Sequence, residues 1–378
     1  MNLLHHLQSI SDPRSHRTRR HDLQAILAVA LCATLAGADN WVEVAQFGQM
    51  HQSWFARFVP LPSGIASHDT FARVFRILDA QEVERACQCW LQQLAGQVQG
   101  TVAIDGKSVR GSRKGDVPKA LHMVSAWAAD MGLLLGQRKV DGKSNEIAAI
   151  PELLRLLQLR GCIVTIDAIG CQKDIARQLH EQGADYVLSL KENQPHLHAV
   201  VQKHFAALPS DAQEGSTYAE SFAGHGRREL RRYRVSPVPA ALQRAAAHWP
   251  GLCSVVQVVR QRQRTGKPAS EELSYYLSSL PGHTGADVLA HSIRAHWSVE
   301  NQLHWSLDVA LREDAAQSYK DQGPHNQSLL RRMALQMLTR DTSVKLGLQA
   351  KRKRAGWSLP YLEHLMGMGV ALGMGGSG

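Results

Sequence analysis

Two acidic residues follow short apolar segments, where they could hold a metal ion. Asp105 ends the segment that begins at Thr101, and Asp167 follows the apolar residues 162–166. In open α/β sheets, ligands collect at the carboxyl ends of strands, so acids at these ends are well placed for a site. An aspartate in such a place also often caps a turn, and that alternative stays open for each residue taken alone.

A third acid, Glu300, lies among aromatic and apolar residues, where a lone solvated carboxylate is not expected. Three carboxylates that converge from two strands and a helix suit divalent cations, because these cations prefer oxygen ligands. Two Mg²⁺ or Mn²⁺ ions held in this way can activate a water or hydroxyl and stabilise the leaving oxygen of an in-line displacement at phosphorus. The sequence has no Gly-rich P-loop that would indicate nucleotide hydrolysis instead.

The helix predicted around Glu300 also allows a zinc site. At 100° per residue, His296, Glu300 and His304 fall within about 80° of arc, so they share one face. Imidazole and carboxylate groups are ordinary zinc ligands. This set lacks the H-E-x-x-H spacing, however, and it would leave Asp105 and Asp167 unexplained.

The composition is that of a globular protein with a basic excess. The 378 residues are 44% hydrophobic and 20% charged, which excludes disorder as the main state. The formal charge is +10, yet residues 1–100 hold eight basic and eight acidic side chains, so the excess lies in the rest of the chain. This distribution favours a polyanion as partner, with improved solubility as the alternative. Six scattered cysteines without C-x-x-C spacing indicate a reducing cytoplasm.

The elements that would position these acids fall into three regions. Residues 1–97 are predicted to form a helical domain. Within it, the apolar residues of 23–38 have the spacing of a packed helix; the alternative is a targeting segment, because this apolar stretch follows several arginines and ends in small residues. Residues 98–348 are predicted to form a mixed α/β sheet with an antiparallel edge and further helices, with an inserted β-rich subdomain at about 194–282. Residues 349–378 are predicted to be a basic C-terminal tail.

Several longer motifs, and the order in which they occur, resemble those of one protein family. The chain resembles the DDE insertion-sequence transposases of the H-repeat-associated (Rhs-element, ISAs-type) group, essentially end to end. The stretches that carry the resemblance are Asp12-Pro-Arg, Ser67-His-Asp-Thr-Phe-Ala-Arg-Val-Phe75, Ala103-Ile-Asp-Gly-Lys-Ser-Val-Arg-Gly111, Lys143-Ser-Asn-Glu-Ile147, Thr165-Ile-Asp-Ala-Ile-Gly-Cys-Gln172, His225-Gly-Arg-Arg-Glu229 and His296-Trp-Ser-Val-Glu-Asn-Gln-Leu-His-Trp-Ser-Leu-Asp-Val309.

The resemblance implies an RNase H-like catalytic domain behind a helical associated domain. Asp105, Asp167 and Glu300 would be its catalytic residues and would hold two Mg²⁺ or Mn²⁺ ions. The broader superfamily often surrounds its glutamate with Tyr-x₂-Arg-x₃-Glu-x₆-Lys. The chain has Ile293, His296 and Leu307 at the other three places, so we expect Arg294 or His296 to take over the handling of DNA ends.

The implied activity is DNA transposition. The protein would bind the terminal inverted repeats of its element as double-stranded DNA, free a 3′-OH by hydrolysis and direct that hydroxyl at target DNA. It would act as a homodimer or higher oligomer in a synaptic complex, in the cytoplasm on the nucleoid and without a membrane. Two alternatives stay open: a catalytically silent, repressor-like DNA-binding relative, and a metal-dependent nuclease without strand transfer.

Basic side chains are the candidate DNA contacts. They neutralise phosphates and position the protein, but they do not read sequence, so we expect recognition of specific ends from the N-terminal helices. The candidates are Lys107, Arg110, Arg113, Arg227, Arg228, Arg231, Arg294, His296, His304, Lys351 and Arg352.

Overall fold

The N-terminal region is a bundle of helices with side-chain caps at several helix starts. The computed structural model describes residues 3–113, 120–140, 146–208, 216–224 and 226–367. The oxygen of Ser67 accepts the backbone N–H of Thr70, as the sequence predicted for a capping residue. The bundle consists of α1 (Leu3–Leu7), α2 (Leu23–Leu35), α3 (Trp41–Met50), α4 (Gln52–Phe55), α5 (His68–Ile77) and α6 (Ala80–Ala95).

Helix α2 lies in the middle of this bundle. Every residue of the helix except Gln24 is buried, which confirms the prediction of a packed helix. Its apolar side chains belong to the same hydrophobic core as the other N-terminal helices. A helix with the length and apolarity that a bilayer requires is absent from the described residues.

After the N-terminal bundle, the described residues form one nine-stranded sheet with helices on its faces. Its strands lie in the order β3-β2-β1-β4-β5-β9-β8-β7-β6, in which β1, β4 and β5 are mutually parallel and every other neighbouring pair is antiparallel. The predicted mixed sheet with an antiparallel edge is therefore confirmed. The strands are β1 (Thr101–Val109), β2 (Leu121–Ala128), β3 (Leu133–Val140), β4 (Ile163–Ile166), β5 (Asp185–Leu190), β6 (Ser216–Gly224), β7 (Arg227–Pro237), β8 (Ser254–Arg264) and β9 (Ser270–Ser278).

The region predicted as an inserted subdomain continues this sheet. Strand β9 pairs with β5, and β8, β7 and β6 follow it outward. Local alternation predicted the strands of residues 194–282, but their pairing depends on contacts far apart in sequence. The region is therefore an extension of the central sheet rather than a sheet of its own.

Helices cover both faces of the sheet. On one face, α7, α8 and α9 pack against the central strands. On the other face, α11 packs against β5, β7 and β8, while α12, α13 and the N-terminal bundle cover β1 to β3. We call this second face the α11 face. The helices after the bundle are α7 (Glu146–Leu154), α8 (Lys173–Glu181), α9 (Pro195–Ala207), α10 (Gln243–Ala246), α11 (Ala286–Ser298), α12 (Trp305–Val309), α13 (Gly323–Arg340), α14 (Leu348–Trp357) and α15 (Leu359–Leu365).

The described part of the predicted basic tail is helical. Residues 348–365 form α14 and α15, and Ala355, Tyr361 and Leu362 belong to the core that holds the N-terminal bundle together. The final residues of the predicted tail, 368–378, lie outside the described part of the chain.

Candidate active site

Asp105 and Asp167 lie side by side on neighbouring parallel strands. Ala103 pairs with Thr165 and Ile104 with Ile166, so the residues that follow, Asp105 and Asp167, are adjacent. Asp105 lies within β1, which continues beyond it in its pairing with β2. Asp167 comes directly after β4, at the carboxyl end where ligands collect in parallel sheets.

Asp167 also caps a turn. Its Oδ1 accepts the backbone N–H groups of Ile169 at 3.1 Å and Gly170 at 3.4 Å. The structural alternative raised from the sequence thus holds for Asp167. The two roles are compatible, because a carboxylate oxygen accepts more than one bond and these N–H donors fix its direction.

Glu300 reaches the same cavity from a π-helical segment. Helix α11 continues into Val299–His304, where the backbone takes the wider π-helical turn, and such segments occur frequently at functional sites. Glu300 itself is exposed, as a group that meets a ligand must be. Asp105, Asp167 and Glu300 line one cavity of about 260 Å³.

Burial and mutual repulsion mark these carboxyl groups. Burial raises the pKa of Asp105 to about 7, with additional contributions from the like charges of Asp167, Glu146 and Glu300. Burial and the charge of Glu146 also raise the pKa of Asp167, against the opposing effects of its two N–H donors and Lys191. The neighbouring negative charges of Asp105 and Asp167 favour binding of a cation, because the cation relieves their repulsion.

The donor chemistry fits a hard divalent cation, although the side chains do not form a closed site. Carboxylate oxygens around an open cavity are the ligands that Mg²⁺ prefers. In the described part of the chain, no three His, Cys, Asp or Glu side chains are already arranged to hold an ion. The three side chains of the zinc alternative, His296, Glu300 and His304, are therefore not arranged to hold an ion either.

The two histidines of this segment contact different parts of the site. His296 Nδ1 lies 3.1 Å from the hydroxyl of Thr165 on β4, and burial lowers the pKa of His296 to about 4. His304 Nδ1 lies 3.6 Å from Asp105 Oδ2. Burial, followed by the charges of Arg332 and Lys107, lowers the pKa of His304 to about 3. Both rings are therefore neutral at pH 7.

Four of the residues predicted to contact DNA are buried within the protein. Lys107 Nζ pairs with Asp308 at 2.7 Å and with Asp314 at 3.4 Å. His304 faces Asp105, as described above. The ammonium of Lys351 donates to the carbonyls of Leu338 and Asp341, and Arg352 is likewise hydrogen-bonded to protein groups. We therefore leave Lys107, His304, Lys351 and Arg352 out of the proposed DNA contacts: the three cationic side chains bind groups of other segments, and His304 faces Asp105.

The remaining basic candidates lie at or near the surface. Arg110 is exposed, with its Nε 3.6 Å from Asp314 Oδ2, and Arg113 is exposed beside it. Arg294 on α11 donates to Glu220 Oε1 at 2.9 Å. Alternation along β7 places Arg227 and Arg231 on the α11 face, whereas Arg228 projects from the opposite face.

Arginines form a row on the α11 face beyond the cavity. Arg231 pairs in register with Arg260 on β8, and Arg260 pairs with Glu272 on β9, a residue that lines the cavity. The buried Glu229 on β7 forms ion pairs with four of these arginines. Those four are Arg227, Arg231, Arg260 and Arg262. A positively charged surface therefore extends outward from the acidic residues.

Sequence reasoning missed a buried carboxylate close to the site. Glu146 begins α7 and accepts a hydrogen bond from His122 Nε2 at 2.6 Å. The only signal was the stretch 143–147, which supported the family resemblance without being assigned a chemical role. Its first three residues lie outside the described part of the chain, as does His225 of another stretch.

Comparison with known proteins identifies relatives along nearly the whole chain. The family model described as DDE_Tnp_1-associated matches residues 4–91, and the model described as Transposase DDE domain matches residues 96–337. The chain is 37% identical over 375 residues to the putative transposase YncI of Escherichia coli O157:H7, covering 98% of this chain and 96% of that protein. It is 35% identical over 373 residues to the H repeat-associated putative transposase YhhI of Escherichia coli strain K12, covering 96% and 97% of the two chains.

A solved structure with some likeness is a piggyBac transposase synaptic complex with hairpin DNA. The TM-score is 0.46 and the sequence identity 10%, over 98% of this chain and 77% of that one.

Proposed function

Because the chain belongs to the DDE transposase family, we propose that it cleaves and joins DNA at the terminal inverted repeats of its own mobile element. The observation that supports this reaction most directly is the cavity shared by Asp105, Asp167 and Glu300. We assign the RNase H-like catalytic core to β1 to β5, a set of strands that includes β1 and β4, where the two aspartates are neighbours.

The proposed catalytic residues act by holding divalent metal. Asp105, Asp167 and Glu300 supply the carboxylate oxygens, and two Mg²⁺ or Mn²⁺ ions would supply nucleophile activation and stabilisation of the leaving oxygen. The N–H groups of Ile169 and Gly170 keep the Asp167 carboxylate directed. His304, which is neutral at pH 7, stands against Asp105 without adding a positive charge that would compete with a metal.

The proposed DNA path runs along the α11 face. Arg227 and Arg231 lie on this face together with the arginines of β8, and the row approaches the cavity at Glu272. Arg294 and His296 are on the helix that leads to Glu300, while Arg110 and Arg113 follow Asp105 along the chain. These contacts neutralise phosphates and do not read sequence. We assign recognition of the element ends to the N-terminal bundle, and joining of two ends to a homodimer or higher oligomer.

A plasmid assay tests the reaction. A supercoiled plasmid that carries the repeats flanking this gene is incubated with Mg²⁺ and with wild type, Glu300→Gln or Glu152→Gln. Glu152 is the control, because it is exposed on α7 and does not line the cavity. We expect cleavage and joining at the repeat ends with wild type and with Glu152→Gln, and loss of both with Glu300→Gln.

Other outcomes would point to the alternatives. Binding without cleavage by wild type would indicate a silent, repressor-like relative. Cleavage without joining would indicate a nuclease that lacks strand transfer. Cleavage that survives Glu300→Gln would remove Glu300 from the proposed set of metal ligands.

A further inference from the structure

A fourth acidic side chain, Glu146, is buried and hydrogen-bonded next to β1, on the face of the strand opposite the cavity. Only 3% of Glu146 and 2% of His122 is exposed. His122 Nε2 lies 2.6 Å from Glu146 Oε1, and His122 Nδ1 lies 2.8 Å from the hydroxyl of Ser108. The chain Ser108–His122–Glu146 therefore fixes both the ring and the carboxylate.

A glycine allows this carboxylate to approach the strand that carries Asp105. A Cβ atom at Gly106 would lie 2.7 Å from Glu146 Oε1 and 2.7 Å from His122 Nε2. Both distances are too short for any side chain larger than hydrogen. Successive residues of a strand project to opposite faces, so Asp105 faces the cavity while Glu146 fills the space next to Gly106 on the other face.

The position of Glu146 has an electrostatic consequence for both aspartates. Gly106 directly follows Asp105, and Asp167 is the neighbour of Asp105 across β1 and β4, so the Glu146 carboxylate lies close to both aspartates. A buried carboxylate beside two others is unfavourable in the absence of a cation, and a divalent cation in the cavity offsets that cost. Helix α7 also begins at Glu146, and the partial positive charge of a helix N-terminus helps to hold an acid there.

We propose that Glu146, oriented by His122 and Ser108, is a positioning residue of the acidic centre, whose fixed negative charge behind Asp105 and Asp167 increases the affinity for a divalent cation. The inference rests on the proposed function, because it takes Asp105 and Asp167 to be metal ligands. It adds a residue that does not line the cavity and that acts through the two aspartates.

Titration of the full-length protein with Mn²⁺, in the absence of DNA, tests this role. Free Mn²⁺ is measured by electron paramagnetic resonance for wild type, Glu146→Gln and Glu152→Gln. Glutamine keeps an oxygen that accepts the bond from His122 but removes the charge, and Glu152 lies exposed on the same helix. We expect Glu146→Gln to weaken Mn²⁺ binding about 10- to 100-fold, the usual effect of residues that support metal ligands. Glu152→Gln should leave binding unchanged.

The variant Glu146→Asp separates a charge effect from loss of packing. Aspartate keeps the charge but is shorter, so Mn²⁺ affinity should stay closer to that of wild type than with Glu146→Gln. Wild-type affinity in Glu146→Gln, or equal losses in the Asp and Gln variants, would overturn the inference.

Asp105→Asn distinguishes failure of this inference from failure of the proposed function. If Asp105→Asn loses Mn²⁺ affinity while Glu146→Gln keeps it, the inference is wrong and the metal-dependent function stands. If Asp105→Asn also binds Mn²⁺ like wild type, both are wrong.

Discussion

Burial and the like charges of neighbouring carboxylates act strongly on Asp105, and its titration should be visible in the stability of the protein. The folded protein holds the Asp105 proton up to about pH 7, whereas the ordinary value is 3.8. The contribution of Asp105 protonation to the free energy of unfolding is therefore fully present below about pH 4 and is lost as the pH rises through 7. The difference corresponds to an upper limit on the order of 4 kcal/mol.

We therefore predict that Asp105→Asn stabilises the metal-free protein at pH 8 and has little effect at pH 4. Asparagine imitates the neutral form and carries no charge to desolvate. Thermal unfolding in EDTA should show a rise in Tm of about a few °C at pH 8. The control Glu152→Gln should leave Tm unchanged at both pH values. A lower Tm for Asp105→Asn at pH 8 would contradict the assigned electrostatics.

Sequence reasoning found the three acids that line the cavity but not the residue behind them. Asp105 and Asp167 follow apolar segments, and Glu300 stands in an aromatic helix, so local patterns sufficed. Glu146 and its partner His122 are 24 residues apart, and their contact depends on the packing of α7 against β2. No periodicity along the chain encodes that contact.

At the scale of the elements, β7 offers a direct test of the DNA path. Arg227 and Arg228 are neighbours in sequence but project from opposite faces of the strand, and only Arg227 lies on the α11 face. We predict that Arg227→Gln weakens DNA binding and reduces the salt dependence by about 0.9 in log–log slope, one phosphate contact, whereas Arg228→Gln changes neither. Filter binding or fluorescence anisotropy from 50 to 200 mM salt measures both.

The reverse result would relocate the DNA path. A loss confined to Arg228→Gln would place the DNA on the opposite face of the sheet, away from the acidic cavity. Equal effects of both variants would indicate a general contribution of charge rather than a surface.

The sequence predicted these strands but not how they are joined. Alternation identifies a strand and its two faces, so the separation of Arg227 from Arg228 follows from local pattern alone. Which face carries the site depends on α11, some 60 residues later, and on the pairing of β9 with β5. Because of those long-range contacts, the region predicted as an inserted subdomain extends the central sheet.

At the scale of the whole molecule, the N-terminal helices are packed together with α14 and α15. The N-terminal helices, α13 and the C-terminal helices share one hydrophobic core, so the helical domain predicted for residues 1–97 is not packed by itself. The basic residues 351–354 resemble a solvated charge run in sequence. Two of them are buried because α14 lies across segments from both halves of the chain, a contact that a local pattern does not reveal.

Arg352 connects these segments, so its removal should destabilise the whole protein. Its guanidinium donates to four acceptors: the carbonyls of Thr34, Ala38 and Ala310 and the carboxylate of Asp39. We predict that Arg352→Ala lowers the free energy of unfolding by about 3–5 kcal/mol, the usual cost of leaving a buried partner unpaired. Urea unfolding measures this loss. Lys353→Ala is the matched control, because Lys353 is exposed and the variant loses the same charge.

The pair of variants also separates a structural role from a DNA contact. If Arg352 holds α14 against the N-terminal bundle, Arg352→Ala unfolds at a lower urea concentration than wild type. At low temperature, the folded fraction of Arg352→Ala should then bind DNA with the same affinity as Lys353→Ala. If Arg352→Ala instead keeps wild-type stability and loses DNA affinity, the residue contacts DNA, as the sequence alone had indicated. The packing of α14 against the N-terminal bundle would then differ in solution, since a buried guanidinium bonded to four protein groups keeps only one of its five N–H donors for phosphate.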